Sequence, residues 1–228
     1  MGFNEAQTKA ICHKNGPAMV LAGPGSGKTL VITRRVEYLI KKYGVRPEQI
    51  LVITFTKAAA KEMRERFARI TKDDRFPVTF GTFHGILKWA YRMNALNIFS
   101  EEEKMMLLRE VIAGMELEIE DEKEFLQGIA SEIGQIKNNR LSLEEYESSN
   151  CSDQMFRQIY EEYERRRKLL KKIDFDDMLV LCYELFQKRP DILQMWQKKF
   201  QYILIDEFQD INQVQYDVIR MLALPENN

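Results

Sequence analysis

The sequence predicts an α/β fold, a parallel sheet flanked by helices, interrupted by an inserted all-helical subdomain. Three observations carry that expectation. Short apolar runs, AMVLA (18–22), ILVITF (50–55), VTF (78–80) and YILID (202–206), alternate with stretches of helical periodicity, the pattern of strands joined by crossover helices. All six prolines lie outside residues 78–189. That proline-free stretch is rich in Glu, Leu, Met and Lys, which favour helix. A glycine-rich loop, AGPGSGKT (22–29), joins the first apolar run to the first helical pattern.

Along the chain, helical patterns follow the apolar runs at 28–42, 57–71, 83–96, 175–187 and 211–223. Within the inserted stretch, three helical faces are apolar. They are Met105, Leu108, Ile112 and Met115; then Phe125, Ile129, Ile133 and Ile136; then Phe156, Ile159, Tyr160 and Tyr163. Each set recurs at the three- and four-residue spacing of one helix side. The expected organisation is therefore a sheet domain from residues 1–94 and 173–228, with a helical subdomain over 95–172. Charge marks the same zones. Between Trp89 and Ile173 there are 18 acidic and 13 basic residues, against 17 and 21 elsewhere.

The 228 residues are 45% apolar and 30% charged, an ordinary globular composition. No run of about 18 apolar residues suggests a membrane span, and no basic-then-apolar leader follows Met1. Cys12, Cys151 and Cys182 are odd in number and widely spaced. They fit reduced thiols in a cytoplasmic protein better than a disulfide frame or a zinc site. A net charge of −1 gives no global basic excess pointing to nucleic acid.

The loop carries the most specific chemistry. Gly27, Lys28 and Thr29 complete the phosphate-loop pattern GxxxxGK[ST], with Ala22 in place of its first glycine and Gly23, Pro24, Gly25 and Ser26 between. Small residues let backbone N–H groups wrap a phosphate, with a helix N-terminus behind them. Lys28 would neutralise the β and γ phosphates of ATP, and Thr29 would offer its hydroxyl to Mg²⁺. Asp206 and Glu207 stand directly after an apolar strand. In phosphate-loop NTPases an acid at such a strand end holds Mg²⁺. Asp206 suits that role, and Glu207 can orient the attacking water or take its proton.

With these residues the chain resembles superfamily 1 DNA helicases of the UvrD, Rep and PcrA type. FNEAQTKAI (3–11) is similar to the family's Q motif, which implies that Gln7 reads adenine; the Asn4-to-Gln7 spacing is equally that of a helix capping box. ITFTKAAAKEMRERF (53–67) resembles motif Ia and GTFHGI (81–86) motif Ib. The resemblance implies single-stranded DNA contacts at Thr54, Phe55, Thr82, Phe83 and His84, with Phe55 alternatively a buried strand-end residue. DFDDML (174–179) belongs to the same set, and IDEFQD (205–210) resembles motif II, which implies that Gln209 links the γ-phosphate to the DNA side. RRRKLLKK (165–172) reads as a solvated helix end rather than a DNA contact.

The resemblance implies a RecA-like ATP-binding domain (1A), an inserted subdomain (1B), and a 3′–5′ helicase acting on single-stranded DNA and single/double-strand junctions. Its second RecA-like domain would be a partner of this one, and the 228-residue chain a monomer with little activity alone. A phosphate-loop kinase and a non-catalytic, nucleotide-gated DNA-binding module are the alternatives. A kinase would need an arginine-rich lid and an acceptor pocket, and the acidic middle of the chain shows neither signature.

Overall fold

Strand β1 (Ile50–Thr54) is buried along its whole length, which a strand needs when both faces of its sheet are covered. In the computed structural model, which describes residues 2–72, 76–90, 97–115, 119–226 and 228, β1 is the central strand of three. It pairs in parallel with β2 (Thr79–Thr82) on one side and β5 (Tyr202–Ile205) on the other. The α/β class and the parallel pairing are as expected. The chain divides into two units, one of Met1–Ile86, Leu185–Ile211 and Tyr216–Asn228, the other of Leu87–Glu184 and Asn212–Gln215. The expected 94/95 boundary lies outside the described residues, and the second division falls between Glu184 and Leu185.

In the first unit, α1 (Glu5–Cys12), α2 (Lys28–Tyr43) and α3 (Lys57–Thr71) accompany the sheet; α4 (Phe83–Ala90) follows β2, and the division at Ile86 falls within it. The expected helix over 83–96 is described only to Ala90. Val36 and Leu39 of α2, Met63 and Phe67 of α3, and Ile50 and Val52 of β1 form one apolar cluster with Phe80, Tyr202 and Leu204. Each fully buried side chain of this kind contributes about 1.5–3 kcal/mol. Helix α2 ends at Gly44, whose φ of 69° lets its N–H turn back to the Ile40 carbonyl. Helix α3 starts at Thr56, whose hydroxyl accepts from the Ala59 N–H.

One expected strand does not form. Residues 18–22 have no assigned secondary structure and carry no ladder, and Met19, Val20 and Leu21 are 73%, 56% and 90% exposed. An apolar run becomes a strand only beside a neighbour that takes its backbone hydrogen bonds, and none of the three paired strands is that neighbour. Helix α9 (Pro190–Lys199) is an element that the sequence reading missed. Proline opens it at a position where no N–H is needed, and Trp196 anchors it near Phe186 and Phe200.

The second unit contains α5 (Glu101–Ala113), α6 (Glu122–Asn139), α7 (Asp153–Leu169), and a two-residue parallel pair, β3 (Asn97–Ile98) with β4 (Lys172–Ile173). The three expected apolar faces meet here: Leu108, Ile112, Ile129, Ile133, Ile136, Phe156, Ile159 and Tyr163 are its buried core, with Met105, Met115, Phe125 and Tyr160 packed around it. Ser100 and Glu103 form a capping box on α5, while Asp121 and Ser152 cap α6 and α7.

Beside that core lies a buried ionic network. The Lys137 ammonium meets Asp174 at 2.7 Å, Glu164 at 2.8 Å and Asp177 at 2.9 Å. Arg167 bridges Glu164 and Asp177 at 2.6 and 2.9 Å, and the Tyr163 hydroxyl donates to Asp174. Asp174 and Asp177 also accept each other's backbone N–H, so the DFDD sequence caps the first turn of α8 (Phe175–Lys188). Burial works against every charge in this cluster, and the surrounding opposite charges outweigh it for Lys137 and Asp174.

Removing one member of such a network leaves buried charges unpaired, which costs about 3–5 kcal/mol. Lys137→Ala should therefore lower stability in chemical denaturation by that amount, a loss far larger than a surface lysine would give. Burial also pushes the Cys182 thiol up to about 12. At pH 8 a thiol reagent should modify Cys12 and Cys151, which are partly exposed, while Cys182 reacts only after unfolding.

Candidate nucleotide site

Parallel strands place their carboxyl ends on one edge, which is where open α/β sheets bind ligands. Here β1 leads into Phe55, β2 into Phe83 and His84, and β5 into Asp206 and Glu207. The β1–β5 ladder runs one step beyond the strand, because the Asp206 N–H donates to the Ile53 carbonyl at 2.9 Å. That bond fixes where the acidic pair leaves the sheet.

The glycine-rich loop turns through two left-handed glycines, Gly25 (φ 73°) and Gly27 (φ 83°). A side chain at either position would be strained. Ser26 closes the loop on itself: its N–H and hydroxyl both donate to the Gly23 carbonyl, at 3.3 and 2.7 Å. Gly27 then opens α2 with no side-chain cap, and no acid stands in the first helical turn. The positive end of the helix is thus left uncompensated by any acid of its first turn. Lys28 and Thr29 occupy that first turn.

Across this edge the Lys28 ammonium lies 3.0 and 3.2 Å from the two carboxylate oxygens of Glu207, a residue 179 positions away. Gln209 donates its amide to the same carboxylate at 2.7 Å. The hydrogen bond from Gln209, and then that from Lys28, hold the Glu207 carboxyl below its ordinary value, and the same contact raises Lys28. Asp206 behaves oppositely: burial, then the charge of Glu207, pushes it up. Glu207 adopts φ 52°, a left-handed conformation rare for a side-chain-bearing residue.

Of the two readings of Gln7, the structure shows the helix-capping one. The capping box forms, with the Asn4 N–H donating to the Gln7 amide oxygen and the Gln7 N–H to Asn4. The Gln7 amide nitrogen also donates to the Ser26 carbonyl at 3.1 Å, tying α1 to the loop. Behind it, Arg35 donates to the Ala10 and His13 carbonyls, and the Tyr43 hydroxyl to that of Cys12. An amide has two donor hydrogens and two acceptor lone pairs, so Gln7 keeps one of each.

The residues nominated for DNA separate by exposure. Phe55 is 57% exposed and not a buried strand end, whereas Thr54 is 1% exposed and donates to the Thr56 carbonyl. Phe83 is buried, and Thr82 caps α4 by accepting from the Gly85 N–H. His84 is half-buried. Four of the six basic residues in the run at 165–172 pair closely within their own unit: Arg165 and Arg166 bind Glu162, Arg167 binds Glu164 and Asp177, and Lys172 binds Glu103. Sequence reasoning did not foresee the left-handed turn at Glu207 or the tie from Gln7 to the loop.

The sequence matches, over residues 3–228, a family described as "UvrD/REP helicase N-terminal domain". It is 42% identical over 236 residues to the "Putative ATP-dependent DNA helicase YjcD" of Bacillus subtilis, covering all of this chain and 31% of that protein. It is 32% identical to the "ATP-dependent DNA helicase PcrA" of Leuconostoc citreum and of Staphylococcus aureus, over 238 and 234 residues. Those matches cover 100% and 97% of this chain, and 32% and 31% of the relatives. The chain thus spans about a third of the length of the curated relatives it matches.

If the ion pair holds the lysine ammonium in solution, Glu207→Gln should lower its titration midpoint. The ¹³Cε shift of labelled lysine would report it, and an unchanged midpoint would show that no pair forms.

Proposed function

Since the chain belongs to the UvrD/REP helicase N-terminal domain family, we propose that it is the ATP-binding part of an ATP-dependent 3′–5′ DNA helicase. On this reading the sheet unit is RecA-like domain 1A and the helical unit is the inserted subdomain 1B. The observation that carries the proposal is the meeting of Lys28 and Glu207 at 3.0 Å on the carboxyl edge of a parallel sheet. The loop of residues 22–29 binds the triphosphate, its backbone N–H groups and the α2 N-terminus facing the anion. Lys28 neutralises the β and γ phosphates. The spare donor and acceptor of Gln7 match the N6 and N7 edge of adenine.

The oxygens of Asp206 and Thr29 suit a hard cation such as Mg²⁺, which takes one or two carboxylates together with phosphate oxygens. Asp206 fits because burial and Glu207 leave its charge poorly compensated. When bound, Mg²⁺ would neutralise charge on the β and γ phosphates. Glu207 orients the attacking water and accepts its proton, and Gln209 holds that carboxylate in place. Phe55, at the same sheet edge, offers an exposed ring for a DNA base to stack on, with Thr82 and His84 along the same track.

No helix among the described residues is long and apolar enough to cross a membrane, and we place the protein in the cytoplasm, a monomer as the 228-residue chain. Phosphoryl transfer in this class takes a cationic finger worth about 10³–10⁵ in rate. We assign it to the second RecA-like domain that completes the ATP site. The 228-residue chain alone should bind Mg-ATP in calorimetry, and Lys28→Ala should weaken binding at least about tenfold, a loss of 1.4 kcal/mol or more. It should turn ATP over slowly, with no stimulation by single-stranded DNA. Unchanged affinity in Lys28→Ala would remove the phosphate-loop assignment; robust DNA-stimulated turnover would overturn the requirement for a second domain.

A further inference from the structure

We infer that the Lys28–Glu207 pair is an autoinhibitory latch: a nucleoside polyphosphate must displace Glu207 to reach Lys28, and the displacement frees the carboxylate that activates water. This rests on the nucleotide reading above and adds to it the order of events. Both carboxylate oxygens face the ammonium, at 3.0 and 3.2 Å, and the two side chains are each 33% exposed. An incoming phosphate therefore reaches the pair from solvent. It competes with a carboxylate that presents both oxygens to the ammonium, which favours an anion of several charges over a singly charged carboxylate.

While paired, Glu207 makes a poor base. Both of its carboxylate oxygens face the Lys28 ammonium and the carboxylate also accepts from Gln209, so it is occupied by these two side chains rather than by a water. Once Lys28 moves to phosphate, Gln209 alone remains on Glu207 and keeps it positioned. The left-handed backbone at Glu207 belongs to the same device. It sends the side chain of a strand-end residue back toward the start of α2, where Lys28 stands. Access of a water to the carboxylate is thereby tied to occupancy, since the anion that takes Lys28 uncovers it.

The test is calorimetry on the 228-residue chain with Mg²⁺ and a non-hydrolysable ATP analogue, at low and high salt. Glu207→Ala and Glu207→Gln should bind the analogue about two- to fivefold more tightly than wild type, as for release of an exposed ion pair. Added salt should narrow the gap, because it screens the pair that wild type must break. Asp210→Asn is the control. The charge of Asp210 acts on Lys28 through space, so a gain there equal to that of Glu207→Ala would mean general repulsion and overturn the latch. Unchanged or weaker binding by both Glu207 variants would overturn it too. Wild type that binds while Lys28→Ala does not, with no gain at Glu207, removes the latch alone. Absence of binding by wild type removes the nucleotide reading and the latch together.

Discussion

The parallel register of β1 between β2 and β5 is the constraint on which the site depends. Parallel neighbours cannot be joined by a tight turn, so each needs a long crossover. Residues 54–55, 82–84 and 206–207 are thus remote in sequence, yet all leave the sheet at one edge. Because β1 is buried on both faces, its side chains can only be apolar or internally satisfied. Thr54 shows this: the last residue of the strand is buried and spends its hydroxyl on the Thr56 carbonyl. One residue later the chain has left the core, and Phe55 is exposed. Chemistry begins where the strands stop.

How far the sequence disclosed this depends on what each signal measures. Apolar periodicity reports burial, and it placed α2, α3 and the three helical faces of the second unit because those helices bury one stripe each. The run at 18–22 misled because burial of a strand depends on a partner that periodicity does not report; Leu21 is 90% exposed. Helix α9 escaped notice for the opposite reason, since Pro190 reads first as a breaker and only secondarily as the opening residue of a helix. Within the site, residue types and their order pointed to Lys28, Asp206 and Glu207, because phosphate chemistry demands them. The Lys28–Glu207 contact itself is tertiary and had no local signal.

The DFDDML stretch shows how a motif noticed for function can carry structure. Asp174 and Asp177 exchange backbone hydrogen bonds across the first turn of α8, and the same carboxylates receive Lys137, Arg167 and Tyr163. Every member of the cluster has a partner, the condition under which buried charge is tolerable. The network joins α6, α7 and α8 through a few atoms whose directions are fixed. An apolar core such as that of Phe156 and Ile159 is permissive about small rotations, whereas a lysine shared by three carboxylates is not. The motif therefore sets the register of the helices within its unit. The neighbouring run at 165–172 adds to this, since Arg167 is held inside the cluster.

Strain locates the remaining specialisation of the first unit. Four described residues other than glycine have positive φ, and three of them (Lys72, Arg140 and Lys171) lie just after a helix, where a left-handed residue closes the last turn. Glu207 has no such role. It follows a strand, precedes a short 3₁₀ turn, and carries its carboxylate to Lys28. Left-handed backbone at a residue with a side chain costs on the order of 1–3 kcal/mol and persists only where the surroundings over-determine it. Glycine would relieve that cost and would also delete the carboxylate. At Gly25 and Gly27 the opposite solution holds, since the loop needs close backbone and no side chain. The strained position thus keeps the side chain that the proposed reaction needs, and the loop proposed to face the phosphates gives side chains up.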